Sequence, residues 1–308
     1  MVVTEATPQT EIVELAEPGG ELVARFAPAA GMVGCSLRHR GEELLGLRAG
    51  LGAYLAQGKT FGLPLLYPWA NRLGDWGYEA AGRAVALSRD SGLVRGDEHG
   101  LPIHGVLPRA LRWDVTRREP AALRAELDWA SDPALMAVFP FAHRIALDAR
   151  LEASALSMRV TVRAAGDPVP LAFGFHPYLA PPGAPRTEWE LELPARRALS
   201  LDDRGLPDGG ARDLGAERVA VGERAFDDLY AVAEGATTFA VSGGGRRLAV
   251  EYGPGYPYAQ VFAPPGQDLV CFEPMTAPTN ALRSGDGLRV VAPGQSAGAT
   301  FALRVDAA

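Results

Sequence analysis

The chain is cut into short runs by 36 glycines and 25 prolines distributed over 308 residues. Proline fixes φ and removes a backbone donor, and glycine supplies turn conformations, so each marks a place where regular structure bends or stops. What lies between them is mostly strand-like. Glu11–Leu15, Glu21–Phe26, Val85–Leu87, Trp113–Thr116 and Leu123–Trp129 come first. Arg144–Leu151, Leu156–Val162, Trp189–Leu193, Arg247–Tyr252, Tyr258–Phe262, Leu269–Phe272 and Phe301–Val305 follow. Glu152-Ala153-Ser154-Ala155 joins two of these runs as a hairpin connection. No long segment has a 3.6-residue period. One helical turn is expected at Asp132-Pro133-Ala134-Leu135-Met136, with Asp132 as N-cap and Pro133 at the first position. This pattern predicts an all-β chain, a large antiparallel β-sandwich. Residues 1–10 are expected to be loose and residues 11–308 to form a single domain. Arg204–Gly215 reads as a long surface loop, and Gly243-Gly244-Gly245 as a strand-connecting turn.

Composition narrows the partners. The net charge is -7 and no basic stretch offsets it, which argues against nucleic acid. No apolar run reaches about eighteen residues, so no membrane partner is expected. Met1–Glu14 is acidic, without the basic start and apolar core of a secretory signal, and the expected location is cytoplasmic. Lys59 is the only lysine, leaving a single candidate for Schiff-base chemistry. Cys35 and Cys271 lie far apart in apolar runs and read as buried free thiols.

Gly58-Lys59-Thr60 lacks the upstream glycine of a phosphate loop, since Ala53 stands there, and no helical pattern follows it. His99 and His104 are five apart, but Gly100 and Pro102 between them exclude a shared helical face, so no metal site is expected. His104 itself precedes Gly105, where a backbone can approach closely; a structural and a functional role are both open. His143 opens a strand and reads as structural.

The chemistry concentrates in two apolar runs. Phe173-Gly174-Phe175-His176-Pro177-Tyr178 carries a histidine, and Cys271-Phe272-Glu273-Pro274 carries a carboxylate. Brought together by the fold, His176 and Glu273 would be a general acid and a general base about a small substrate. Tyr67-Pro68-Trp69-Ala70-Asn71-Arg72-Leu73 is either a loop with partly exposed aromatics or a sugar-contact loop. In the second case Trp69 would cover the apolar face of a pyranose, Arg72 would donate to hydroxyls and Asn71 would hold the loop. Asp227-Asp228 is a turn pair or a hydroxyl acceptor, with the residue facing the substrate left open.

Together these segments resemble the aldose 1-epimerases, or galactose mutarotases. The likeness rests on Pro68–Leu73, Ile103-His104-Gly105, Phe173–Tyr178 and Phe272-Glu273-Pro274 with Asn280 beyond, in that order, and runs from about Gly31 to the C-terminus. Val106 follows His104-Gly105 where the family often has a second glycine, and Asp227-Asp228 replaces a common Asp-His pair. The resemblance implies a β-supersandwich and cofactor-free interconversion of the α and β anomers of a sugar. It implies Glu273 as general base, His176 as general acid, and His104, Arg72 and Asp227 as groups that bind and polarise the sugar. Two other readings stand beside it: a hexose-phosphate 1-epimerase on the same scaffold, and a noncatalytic sugar-binding or regulatory protein.

Overall fold

The structure, a computed structural model, describes residues 11–307; the N-terminal segment 1–10 expected to be loose lies outside the described residues. Two large antiparallel sheets carry the chain. One has nine strands in the order Asp114–Glu119, Ala122–Asp128, His143–Glu152, Ala155–Ala164, Ser296–Ala307, Arg246–Tyr252, Thr237–Gly243, Glu190–Leu193 and Glu217–Ala220. The second has Pro207–Leu214, Arg196–Leu201, Phe226–Ala231, Tyr258–Ala263, Val270–Met275, Gly174–Phe175 and Leu65–Leu66, with Tyr178–Leu179 also paired to Val270–Met275. A smaller sheet from Val13 to Glu43 packs beside them. The all-β antiparallel sandwich is therefore the architecture. No helix among the described residues is long and apolar enough to cross a membrane.

The sheets meet through alternate side chains. Phe272 stacks on Phe239 of the nine-stranded sheet at 5.5 Å, and Phe175 meets Phe301 at 4.9 Å. Because strand side chains alternate faces, sending Val270 and Phe272 into this core sends Cys271, Glu273 and Met275 to the opposite face. One apolar cluster runs from Val13 to Val305 through both sheets. Burial on this scale, at roughly 25 cal/mol per Å² of apolar surface, is what permits a costly polar site on the outer face.

Local structure follows the sequence in several places. Asp132 caps the helix Pro133–Val138 by accepting from the Ala134 N–H at 2.8 Å. His143–Glu152 and Ala155–Ala164 form the hairpin, but Glu152 already pairs with Ala155, so the turn is only Ala153-Ser154. Gly244-Gly245 turns between two paired strands. One reading is corrected and one element was not read. Pro207–Leu214 is a strand, not loop: it is the edge of its sheet and exposed along nearly its whole length, so no buried face imposes alternation. Gly50–Gln57 is a short helix that the flanking glycines disguise, ended by Gly58 at φ 67°.

Candidate active site

Four neighbouring strands and the loops at their ends build one polar cavity on the outer face. In the register of the second sheet, Glu273 sits opposite Gln260, and Asp227 sits opposite Phe262. All four side chains line a cavity of about 290 Å³, near the lower end of small-molecule sites, about 300–1,000 Å³. The same alternation resolves the acidic pair: Asp227 shares the row of Phe262 and Cys271, while Asp228 takes the other parity and does not line the cavity.

His176 arrives from the adjacent strand. Its backbone N–H donates to the Pro64 carbonyl at 3.1 Å, and its Nε2 lies 3.2 Å from Glu273 Oε1. Two glycines allow this approach. A Cβ on Gly174 would lie 2.7 Å from the Pro274 carbonyl oxygen, so only glycine lets the two strands close at this point. Gly105 has φ 68°, and a Cβ there would lie 2.1 Å from the Tyr67 carbonyl oxygen. Close packing at Gly105 carries His104, at φ 64°, to a ring contact of 5.6 Å with His176. His143 anchors the same corner from behind: buried, it bonds the Tyr67 hydroxyl and the Phe141 carbonyl.

Arg72 is held as a rigid donor. Its Nε donates to Asp97 at 2.6 Å, Nη2 to Glu98 at 2.9 Å and Nη1 to Asn71 Oδ1 at 3.3 Å. The side chain is 11 % exposed and that of Asp97 1 %. The turn at Gly205 covers it, since a Cβ at that glycine would lie 2.9 Å from Arg72 Nη1. Asn71, at φ 53°, also accepts the His104 N–H on its carbonyl at 2.9 Å, which ties the arginine loop to the histidine loop. Asn280 secures the far side by accepting the Gly74 N–H at 2.8 Å.

Burial sets the charge states. It pushes the Glu273 carboxyl well above the usual carboxylate range, with Asp227 adding to the rise and Arg72 opposing it. Burial, then the Arg48 and Arg95 guanidiniums, push His176 down to about 3. Burial also holds His104 well below its usual value, aided by Arg95, His176 and Arg72, so it acts as a neutral hydrogen-bonding ring. These directions both favour the uncharged forms, a protonated Glu273 beside a neutral His176. Glu273 Oε2, His176 Nδ1, His104 Nδ1 and Gln260 Oε1 are buried without hydrogen-bond partners. A hydroxyl-rich ligand could offer each of these atoms a donor or an acceptor.

Of the residues singled out from sequence, Glu273, His176, His104, Arg72, Asn71 and Asp227 meet at this cavity. Trp69 does not. Its segment pairs with Ala172, which turns the indole into the sandwich core, where it is 1 % exposed and packs toward Tyr78. Lys59 is exposed and outside the cavity. Sequence reasoning missed Arg48, Thr60, Arg95, Gln260 and Phe262 as lining residues. Gln260 was findable, as a polar residue on the Glu273 face of an otherwise apolar strand; Arg48 and Thr60 lie in loops without periodicity.

Known proteins bear on the scaffold. No curated protein matches the chain in sequence. Among solved structures, the galactose mutarotase-like protein from Clostridium acetobutylicum superposes with a TM-score of 0.82 at 17% identity, covering 98% of this chain and all of that one. The Slr1438 protein from Synechocystis sp. PCC 6803 gives 0.79 at 21% identity over the whole of both chains. Galactose 1-epimerase from Lactobacillus acidophilus NCFM gives 0.75 at 15% identity, covering 98% and 97%. These likenesses establish the fold, a galactose mutarotase-like β-sandwich. The sequence profile of the aldose 1-epimerases matches residues 34–304, nearly the full length, and so the chain belongs to the aldose 1-epimerase family.

Proposed function

We propose that this protein interconverts the α and β anomers of an aldose without a cofactor, by opening and reclosing the hemiacetal ring. The observation that carries the reading is the buried contact of 3.2 Å between His176 Nε2 and Glu273 Oε1 in the wall of a sugar-sized polar cavity. Ring opening needs one group to take the C1 hydroxyl proton and another to protonate the ring oxygen. The aldehyde rotates about C1–C2, and reclosure reverses both transfers, so each group must both give and take a proton. A dyad sharing one proton meets that requirement. The bound sugar displaces the direct contact: its C1 hydroxyl donates to Glu273 and stabilises the carboxylate, while the shared proton passes to His176 and faces the ring oxygen. Each positioned transfer contributes about 10²–10⁴-fold. Arg72 donates to ring hydroxyls, His104 hydrogen-bonds as a neutral ring, and Asp227 accepts.

A sugar-binding protein without chemistry has no use for a carboxyl buried against an imidazole, since desolvating two ionisable groups is expensive. The test is polarimetry of freshly dissolved α-glucose and α-galactose, extended to a panel of free and phosphorylated aldoses, with the spontaneous rate subtracted. Acceleration proportional to enzyme concentration is expected on at least one sugar; tight binding of a sugar whose anomers exchange no faster than in buffer would refute catalysis.

A further inference from the structure

The sheet face that carries Glu273 continues beyond the sugar cavity. Glu273 pairs with Gln260, Gln260 with Leu229, Leu229 with Leu199 and Leu199 with Ala211, so one row of side chains crosses five strands to the exposed edge strand Pro207–Leu214. Glu273 and Gln260 line the sugar cavity. The far end of the row opens into a second cavity of about 490 Å³, lined by Leu199, Leu201, Ala211, Arg212 and Leu229. Asp227 lines both cavities. Gln260 donates to Asp227 Oδ1 at 2.6 Å, and among the described residues Oδ2 has no partner, which leaves it for a ligand hydroxyl. Leu229 is buried, whereas Leu199 and Leu201 pack against it half-buried and present an apolar floor. Arg212 is exposed and makes no ion pair among the described residues, so the wall of the second cavity holds a free donor. An apolar floor edged by a carboxylate and a guanidinium suits a pyranose, whose C–H face is apolar and whose rim carries hydroxyls.

Reach and direction say what would lie there. Neighbouring strands are about 4.8 Å apart, which puts the strand of Leu199 about 14 Å from that of Glu273. One pyranose with its C1 hydroxyl at Glu273 does not span that distance; a second pyranose joined to it does. The strand that leads into His176, Gly174–Phe175, lies on the other side of Glu273 from the leucines. In an aldopyranose the ring oxygen and C2 are the two ring neighbours of C1. With His176 at the ring oxygen and Glu273 at the C1 hydroxyl, C2 and C3 point away from His176, toward Asp227 and the leucine floor. We propose that Leu199, Leu201 and Arg212 form a second glycosyl subsite, and that the preferred substrate is a reducing oligosaccharide whose next unit is joined through O2 or O3 of the reducing sugar. The assignment rests on the anomer-exchange reading for its orientation of that sugar.

The test measures anomer exchange by nuclear magnetic resonance saturation transfer at equilibrium, with each spontaneous rate subtracted. The wild-type protein is compared on glucose and on glucosyl-glucoses joined through O2 (kojibiose, sophorose), O3 (nigerose, laminaribiose) and O4 (maltose, cellobiose). At least one O2- or O3-joined sugar is expected to exceed both glucose and the O4-joined pair in kcat/KM by about 10-fold or more, as covering one apolar sugar face supplies. Leu199→Ser and Arg212→Ala should each cut the ratio to glucose by about 5-fold, and Arg212, on the exposed edge strand, can be replaced without disturbing the core. Calorimetric titration of the Glu273→Gln variant with the same sugars supplies a readout free of catalysis. A preference for glucose or for the O4-joined sugars, or a ratio that neither variant moves, would overturn the subsite while leaving anomer exchange standing. No exchange of any sugar, combined with binding of an O2- or O3-joined sugar that is tighter than that of glucose and weakens in both variants, would uphold the subsite and overturn the catalytic reading.

Discussion

Asp97 never touches the proposed sugar, yet its loss should show in sugar affinity. Its carboxylate accepts Arg72 Nε at 2.6 Å and the backbone N–H groups of His99 at 2.9 Å and Leu101 at 2.8 Å. Burial works to raise its pKa, but the bonds from Leu101, Arg72 and His99 outweigh it and leave the pKa lowered, so the group is ionised at neutral pH. Asp97→Asn keeps one oxygen for the backbone donors but sets an amide against the guanidinium. Arg72 then loses a charge-assisted hydrogen bond, about 1.5–3 kcal/mol. Glu98 cannot compensate, because its side chain is 66% exposed and an ion pair there is screened. If Arg72 must be held to meet the sugar, the deficit appears in binding, as a rise in KM of about 10- to 150-fold. The expected result is that rise with kcat altered less than about 3-fold, a split that marks lost ground-state binding. Steady-state polarimetry measures both constants, and a thermal melt confirms that the variant is folded. A folded Asp97→Asn enzyme with KM within twofold of wild type would refute the idea that this ion pair presents Arg72 to the substrate.

Asp227→Asn should raise KM for the sugar, whereas Asp228→Asn, on the other strand face, should leave KM within about twofold; equal effects in the two variants would contradict the registered placement. Trp69→Phe should lower thermal stability by about 1–3 kcal/mol through lost core packing, with KM unchanged, as read by denaturant titration beside kinetics. The dependence of kcat/KM on pH should be two-limbed with a plateau through neutrality. A second proton on the dyad abolishes activity only in strong acid, because His176 is pushed down to about 3; loss of the shared proton comes late because burial raises Glu273. A single limb centred near about 6.5 would instead report an isolated imidazole.

How far the sequence was legible depended on whether burial left a period to read. Strands with one face in the core, such as Arg144–Leu151 and Leu156–Val162, alternate and were placed almost to the residue. Pro207–Leu214 buries neither face, and the strands Val33–His39, Arg196–Leu201, Phe226–Ala231 and Thr237–Gly243 went unread among Gly-rich or polar neighbours. At the site, Glu273 and His176 stood out because ionisable side chains in apolar strands are expensive and invite a functional reason. Trp69 misled because an aromatic beside Asn71 and Arg72 suggests sugar stacking, while the direction of its side chain is set by pairing with Ala172, a contact no local pattern reports. Arg48 and Thr60 reach the cavity through the fold alone: Thr60 meets Tyr178 across 118 positions of sequence and Arg48 meets it across 130.

The central claim is that Glu273 and His176 pass protons as one unit. It is tested most directly by kcat for anomer exchange in Glu273→Gln, His176→Asn and the double variant, on the best sugar found, with sugar binding measured alongside. Each single variant should lose about 10²–10⁴-fold in kcat while still binding sugar, and the double variant should lose little more than the worse single one. Exchange near the wild-type rate by either single variant would mean that the proton transfers are carried elsewhere.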